Sequence, residues 1–277
     1  MSGYATAENS FARFIEAIRP GLPDVVVIGG WAHRLFRLHP RATGLPYPPL
    51  MTRDADVAVG EHLRASRLDI GRRLQDAGFV REATGDHVPP VTRYRLADHP
   101  DGFYVEFLTP LSGDGLRRDG RPDVTVVVAG IAAQKLRHLG ILLTSPWPIT
   151  IGAAAGFPLQ EPAVVRVPNP ASFLAQKLLI HARRGPGDRA KDILYIYDTI
   201  ELFSPHLDEI RTEWASEVLP GLHITTVTSI RRLARALFRE VTDDARRAME
   251  EAAAAGRDLQ VETVTRVGQA GLERIFR

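Results

Sequence analysis

The sequence predicts an α/β (α+β) protein, with a mixed-sheet domain over residues 1–167 and a helical domain over 168–277. Three observations carry this. Strand and helix patterns intermingle through the first half. A hairpin pattern near 92–108 calls for antiparallel pairing within the sheet. Beyond Val167-Pro-Asn-Pro170 the extended runs stop and helical periodicity takes over.

The elements follow in order. Ser10 is a candidate cap for a helix over 11–19, whose apolar positions Phe11, Phe14, Ile15 and Ile18 fall at i, i+3, i+4 and i+7, with Pro20 beyond its end. The apolar run Val25-Val-Val-Ile-Gly-Gly30 reads as a strand breaking at a double glycine into a helix start over 31–36. Pro40, Pro46, Pro48, Pro49 and Gly44 mark 39–50 as a loop. A strand over 56–59, a helix over 61–77 ended by Gly78 and an extended piece at 79–80 come next. Segments 92–96 and 102–108 read as hairpin partners across the polar turn 97–101. Then come a strand over 124–128, a helix over 131–139 and extended pieces at 147–151 and 163–167. The second half predicts helices over 171–183, 190–203, 205–218, 230–255 and 261–275. No internal repeat is visible.

With 277 residues, 44% of them hydrophobic, the chain is long enough for two moderate cores. Its formal charge of +2, from 35 Lys and Arg against 33 Asp and Glu, does not by itself mark a nucleic-acid binder. Cys is absent, which excludes disulfides and cysteine-bound zinc. No apolar run is long enough to span a membrane, and the first ten residues lack the pattern of a secretion signal. The expectation is therefore a soluble, cytoplasmic protein with no membrane partner.

The chemistry concentrates in Met51-Thr-Arg-Asp-Ala-Asp-Val-Ala-Val59. Residues two apart on a strand share a face, so Asp54 and Asp56 converge on one side of a sheet and suit a hard divalent cation. In Gly102-Phe-Tyr-Val-Glu-Phe-Leu108, alternation puts Glu106 on the face of Tyr104 and Leu108. A carboxylate in an apolar strand is costly to bury unless paired or metal-bound, which makes Glu106 the natural third ligand. Gly29 and Gly30, ahead of a helix start, offer backbone N–H groups to a phosphate. In the helical half, Lys177 and the group Arg183, Arg184, Arg189 and Lys191 gather cations of the kind a triphosphate needs, with Asp192 alongside.

These residues resemble the nucleotidyltransferase superfamily, the fold shared by DNA polymerase beta and the kanamycin nucleotidyltransferases. Its signature is an apolar strand ending in Gly-Gly or Gly-Ser, an Asp-x-Asp on the next strand and a third acid on a later one. Here those are Gly29-Gly30, Asp54-Ala-Asp56 and Glu106. The Gln-Lys-Leu around Lys177 and Arg189-Ala-Lys-Asp192 look like the downstream motifs of the abortive-infection type IV toxins, a branch of the superfamily. The sequence departs from the pattern in using Glu as the third acid and in the length of its Pro-rich loop.

The resemblance implies Mg²⁺-dependent transfer of a nucleoside monophosphate from a nucleoside triphosphate to an acceptor hydroxyl, with Mn²⁺ as the alternative metal. Asp54, Asp56 and Glu106 would hold metal, with Glu106 directing the acceptor proton. Lys177 and Asp192 would act from the second half, and Gly29, Gly30, Lys177 and Arg189 would bind the nucleotide. The toxin branch implies an RNA acceptor, tRNA 3′ ends included, and an antitoxin or regulatory protein as partner. Nucleotidylation of a small molecule or a protein, and a catalytically silent nucleotide-binding protein, are the competing readings.

Each signal also has a plainer explanation. Gly-Gly is often only a tight turn, and Lys177 can snorkel from an amphipathic helix. Arg183, Arg184 and Arg189 can form a solvated patch, and Asp192 can simply favour a helix start. His33 could touch phosphate, but packing or exposure on the helix surface is the plainer reading. Arg231, Arg232, Arg235 and Arg239 recur at near-helical spacing and form a candidate RNA-facing stripe, unless Glu240, Asp243 and Asp244 pair with them.

Overall fold

The computed structural model describes residues 3–60, 63, 69–85, 89–97, 102–117 and 120–277. The chain divides into two compact units, one of Met1–Leu38 with Met51–Pro168, the other of His39–Leu50 with Asn169–Arg277.

The first unit is built on a seven-stranded mixed sheet. Its strands are β1 (Val25–Ile28), β2 (Asp54–Val59), β3 (Phe79–Thr84), β4 (Val91–Leu96), β5 (Tyr104–Pro110), β6 (Thr125–Val128) and β7 (Ile131–Leu136). The spatial order is β1-β2-β5-β4-β3, and β7 joins β5 to β6. β2 and β7 each run parallel to β5, while the other pairs are antiparallel. Helix α1 (Gly3–Ile18) precedes the sheet, α2 (Gly29–Leu35) follows β1 directly and α3 (Ile70–Asp76) precedes β3. Strands β8 (Trp147–Ile151) and β9 (Ala163–Val167) pair as a separate antiparallel ribbon.

One sheet face carries Val27, Ala55, Val57, Tyr94, Val105 and Phe107, all buried, with the Tyr94 and Phe107 rings 5.9 Å apart edge to face. Beside this core, Phe11 of α1 stacks on Trp31 of α2 at 3.9 Å. The other face has an apolar part, Val26, Ile28, Ala58 and Leu108, covered by Leu139 and Leu142. Its polar part is the candidate site described below.

The second unit is helical. It consists of α4 (Pro170–His181), α5 (Pro186–Leu202), α6 (Leu207–Glu213) running into a π turn at Trp214–Val218, α7 (Ile224–Ala236), α8 (Asp243–Ala254) and α9 (Val261–Ile275). The Pro-rich segment His39–Leu50 packs into it, with Thr43 N–H donating to the Leu202 carbonyl at 2.7 Å. Among the described residues no helix is long and apolar enough to cross a membrane.

Four sequence expectations change. Ser10 is not a cap: α1 begins at Gly3, and Ser10 lies buried inside it. The helix expected over 131–139 is strand β7. Its Ala-rich sequence favours helix, but Ala129 and Gly130 both take positive φ (48° and 75°) and turn the chain into a hairpin with β6. Parallel pairing with β5 then overrides propensity. The single helix expected over 230–255 is two, because Thr242 caps α8 by accepting from Ala245 N–H at 3.2 Å and so starts a new helix. Of the helix expected over 61–77, the described residues contain Ile70–Asp76, capped by Asp69 accepting from Arg72 N–H at 2.9 Å. Residues 61–62, 64–68 and most of the turn 97–101 lie outside the described residues.

Candidate active site

The acids are gathered by strand register. Asp54 and Asp56 alternate with buried Ala55 and Val57 on β2, and parallel pairing sets Asp54 beside Tyr104 and Asp56 beside Glu106 on β5. All three carboxylates therefore stand on one sheet face, where the apolar cluster of Ala58 and Leu108 gives way to half-buried polar positions. Tyr104 reports the convergence. Its hydroxyl is pushed above the usual phenol range by burial first, then by the charges of Asp54 and Glu106, with Asp56 adding to them and Arg93 opposing.

Asp54 and Glu106 are engaged by neighbouring side chains. The Asp54 carboxylate accepts a hydrogen bond from the Thr52 hydroxyl. The Glu106 carboxylate is ion-paired with Arg93 at 2.7 Å, and the Arg93 guanidinium lies 5.1 Å from the centre of the Tyr104 ring. The antiparallel register of β4 and β5 puts Arg93 directly opposite Glu106. Among the described residues, no three His, Cys, Asp or Glu side chains are grouped as a ready-made metal site. The donor chemistry fits a hard cation: carboxylate oxygens on one face are the donors that Mg²⁺ takes, and Glu106 would join them by exchanging its ion pair with Arg93.

Gly29 completes this corner. β1 pairs with β2 so that Ile28 sits opposite Asp56, and the chain turns at Gly29 with φ 63° straight into α2. A Cβ on Gly29 would stand 2.5 Å from Asp56 Oδ2, so only hydrogen fits between that backbone and the carboxylate. His33 of α2 is fully buried, the packed one of the two plain alternatives.

In the second unit, Lys177 and Asp192 meet in the interior. Lys177 Nζ on α4 is 2.9 Å from Asp192 Oδ1 on α5, with both side chains almost wholly buried. The ammonium also lies 4.8 Å from the Tyr195 ring centre and 5.6 Å from that of Phe173. Arg184 reaches the same Oδ1 at 3.3 Å, and His181 Nδ1 stands 3.9 Å from Oδ2, too far for a hydrogen bond. Burial pushes the Asp192 carboxyl up, but Lys177, His181 and Arg184 together outweigh it and hold it below the usual range. Arg189, expected at the nucleotide, donates from Nε to Asp244 Oδ2 at 2.8 Å.

The sequence profile of a family described as Nucleotidyltransferase matches residues 10–219, a stretch that takes in Gly29, Gly30, the three acids, Lys177 and Asp192. The chain belongs to that family. It is an enzyme of the nucleotidyltransferase class. A search of curated proteins finds no match. Among solved structures it is similar to MenT4, a nucleotidyltransferase toxin from Mycobacterium tuberculosis, at 12% identity and a TM-score of 0.34, over 98% of this chain and 94% of that one.

Sequence reasoning missed Arg93 and Thr52 as neighbours of the acids; it put Tyr104 on the face of Glu106 but not beside Asp54. Thr52 stands in the same short motif and was open to the two-residue spacing argument. Arg93 was not, since its position opposite Glu106 depends on the length of a turn that composition leaves open. In this nucleotidyltransferase, Gly29→Ala is expected to lower turnover at least tenfold and to cost about 1–2 kcal/mol of stability. Its Cβ displaces the Asp56 carboxylate, and the positive φ adds about 1–2 kcal/mol of strain. Parallel measurement of thermal unfolding and pyrophosphate release checks this: an unchanged rate removes the importance given to the close approach.

Proposed function

We propose that the protein transfers a nucleoside monophosphate from a nucleoside triphosphate to the 3′ hydroxyl of an RNA, tRNA included. The observation that carries the reading is the shared face of Asp54, Asp56 and Glu106 beside a glycine with no room for a side chain. Asp54 and Asp56, with Glu106 once it leaves Arg93, would hold Mg²⁺ or Mn²⁺. Bound there, the metal would supply charge neutralisation to the triphosphate.

The residues themselves do the rest. Glu106 accepts the proton of the acceptor hydroxyl as that oxygen attacks the α-phosphorus; the bond from the α-phosphorus to the bridging oxygen breaks and pyrophosphate leaves. Arg93, released from Glu106, is a cation available to phosphate oxygens. Gly29 lets the backbone approach the phosphate, with Gly30 following it. Lys177 and Asp192 stand as the second unit's candidate pair, and their resemblance to the toxin-branch motifs supports the RNA acceptor and a regulatory antitoxin partner.

The test is to incubate the protein with each α-labelled nucleoside triphosphate, Mg²⁺ and total cellular RNA. Label is expected in an RNA band that ribonuclease removes. Label that survives ribonuclease in protein or in a small molecule would replace the acceptor, and pyrophosphate formation in no mixture would sink the reading.

A further inference from the structure

We infer that the face of α7 carrying Arg231, Arg232, Arg235 and Arg239 is a groove that binds the phosphate backbone of a polynucleotide. The spacing i, i+1, i+4, i+8 stacks these side chains along one side of a helix and its C-terminal extension. Together with Thr228 and Ala236 they line a surface groove of ≈ 500 Å³ that contains no acidic side chain. From Arg231 to Arg239 the stripe runs about 12 Å at the rise of a helix.

The charges are available. Asp243 is taken by Arg246 at 3.0 Å, and Asp244 by Arg189 at 2.8 Å and His181 at 3.7 Å. Arg232, Arg235 and Arg239 are exposed and make no ion pair among the described residues, while Arg231 donates only a long 3.5 Å hydrogen bond to the Arg277 carbonyl. Glu273 lines one adjoining cavity with Arg231 and Arg235, and Glu240, Glu262 and Glu273 line another with Arg239, so carboxylates flank the groove without entering it. Within the groove itself the four guanidinium groups face a lining that includes no carboxylate, which suits an anionic ligand.

The lining decides which kind of anion. A protein partner needs an apolar centre to its interface, and this groove offers only Ala236 and the Thr228 methyl. Nucleic-acid interfaces are polar and strongly positive, and bidentate guanidinium–phosphate pairing suits a row of arginines. The inference rests on the RNA acceptor proposed above and gives it a binding surface.

The experiment measures binding of a fluorescent single-stranded ribonucleotide oligomer by anisotropy at 50 and 200 mM salt. It compares the native chain, Asp56→Ala, and the triple variant Arg232→Ala, Arg235→Ala, Arg239→Ala, whose exposed positions leave the fold intact by circular dichroism. The native chain and Asp56→Ala are expected to bind alike and to weaken steeply with salt. Losing three phosphate contacts flattens the log–log salt slope by about 2, so the native chain should lose roughly 20-fold more affinity than the triple variant across that fourfold salt range. No binding by the native chain at 50 mM, or equal slopes for native and triple variant, would overturn the groove. So would equal or tighter binding of a poly-glutamate peptide of the same length, which would make it a protein-docking face. Failure of the transfer reading looks different: salt-sensitive binding persists in all but the triple variant, yet no RNA is labelled.

Discussion

Asp56→Asn is expected to reduce nucleotidyl transfer by at least a thousandfold while leaving the unfolding temperature within a few degrees of the native value. The substitution keeps the shape of the side chain and removes its charge. Asp56 is half-buried on the polar part of a sheet face, not in the apolar core, so no hydrophobic burial is lost. Its charge stands among those of Asp54 and Glu106 around Tyr104, and removing it weakens the field that would hold a divalent cation. Single-turnover pyrophosphate release at saturating Mg²⁺, set beside calorimetry of the same preparation, makes the measurement. Turnover within tenfold of native would show that Asp56 does not hold the metal. Arg93→Ala is the informative companion: it frees Glu106 with all three acids in place but also removes a cation proposed for phosphate oxygens, so metal affinity and nucleotide KM are read separately.

Much of this corner was legible from local pattern. Two-residue alternation placed Asp54, Asp56 and Glu106 on shared faces, and the double glycine marked the turn. Both depend only on neighbours in sequence. What alternation does not contain is which strands lie side by side. The parallel pairing that sets Asp56 beside Glu106 joins segments about fifty residues apart; alternation and the cost of an isolated buried charge predict that the acids meet, but not which strands pair.

The failures have a common physical cause. β7 was misread because its alanines favour helix, whereas the positive-φ turn at Ala129-Gly130 and the open edge of β5 decide for strand. The split between α7 and α8 was signalled by Thr242-Asp-Asp, a helix-start pattern overlooked inside a long periodic run. Lys177 illustrates a third limit. Its helix was legible, but its burial against Asp192 was not, since that contact joins two helices across a turn. Consequently Lys177→Ala alone reports poorly on catalysis: it also leaves Asp192 buried beside a missing cation.

The largest expected effect on stability lies elsewhere in the second unit, at Arg257→Ala. Arg257 and Asp198 are completely buried and paired, with Nη1 to the two carboxylate oxygens at 3.0 and 3.3 Å. Arg257 also donates from Nη2 to the Pro48 carbonyl at 2.7 Å, and its guanidinium lies 4.7 Å from the Tyr47 ring centre. Tyr47 in turn donates its hydroxyl to Asp198 at 3.1 Å, and burial first, then the Asp198 charge, push that phenol well above its usual range. One guanidinium thus ties α5, the segment before α9 and the Pro-rich segment together. Removing it strips a buried carboxylate of its paired cation and a carbonyl of its donor, a loss of about 3–5 kcal/mol. Replacing both partners, Arg257→Met with Asp198→Leu, removes the stranded charge and should recover a large part of that loss. Chemical denaturation of the single and double variants decides the matter. A single variant within about 1 kcal/mol of native, or a double variant no more stable than the single, would mean that the pair does not fasten the Pro-rich segment to the helices.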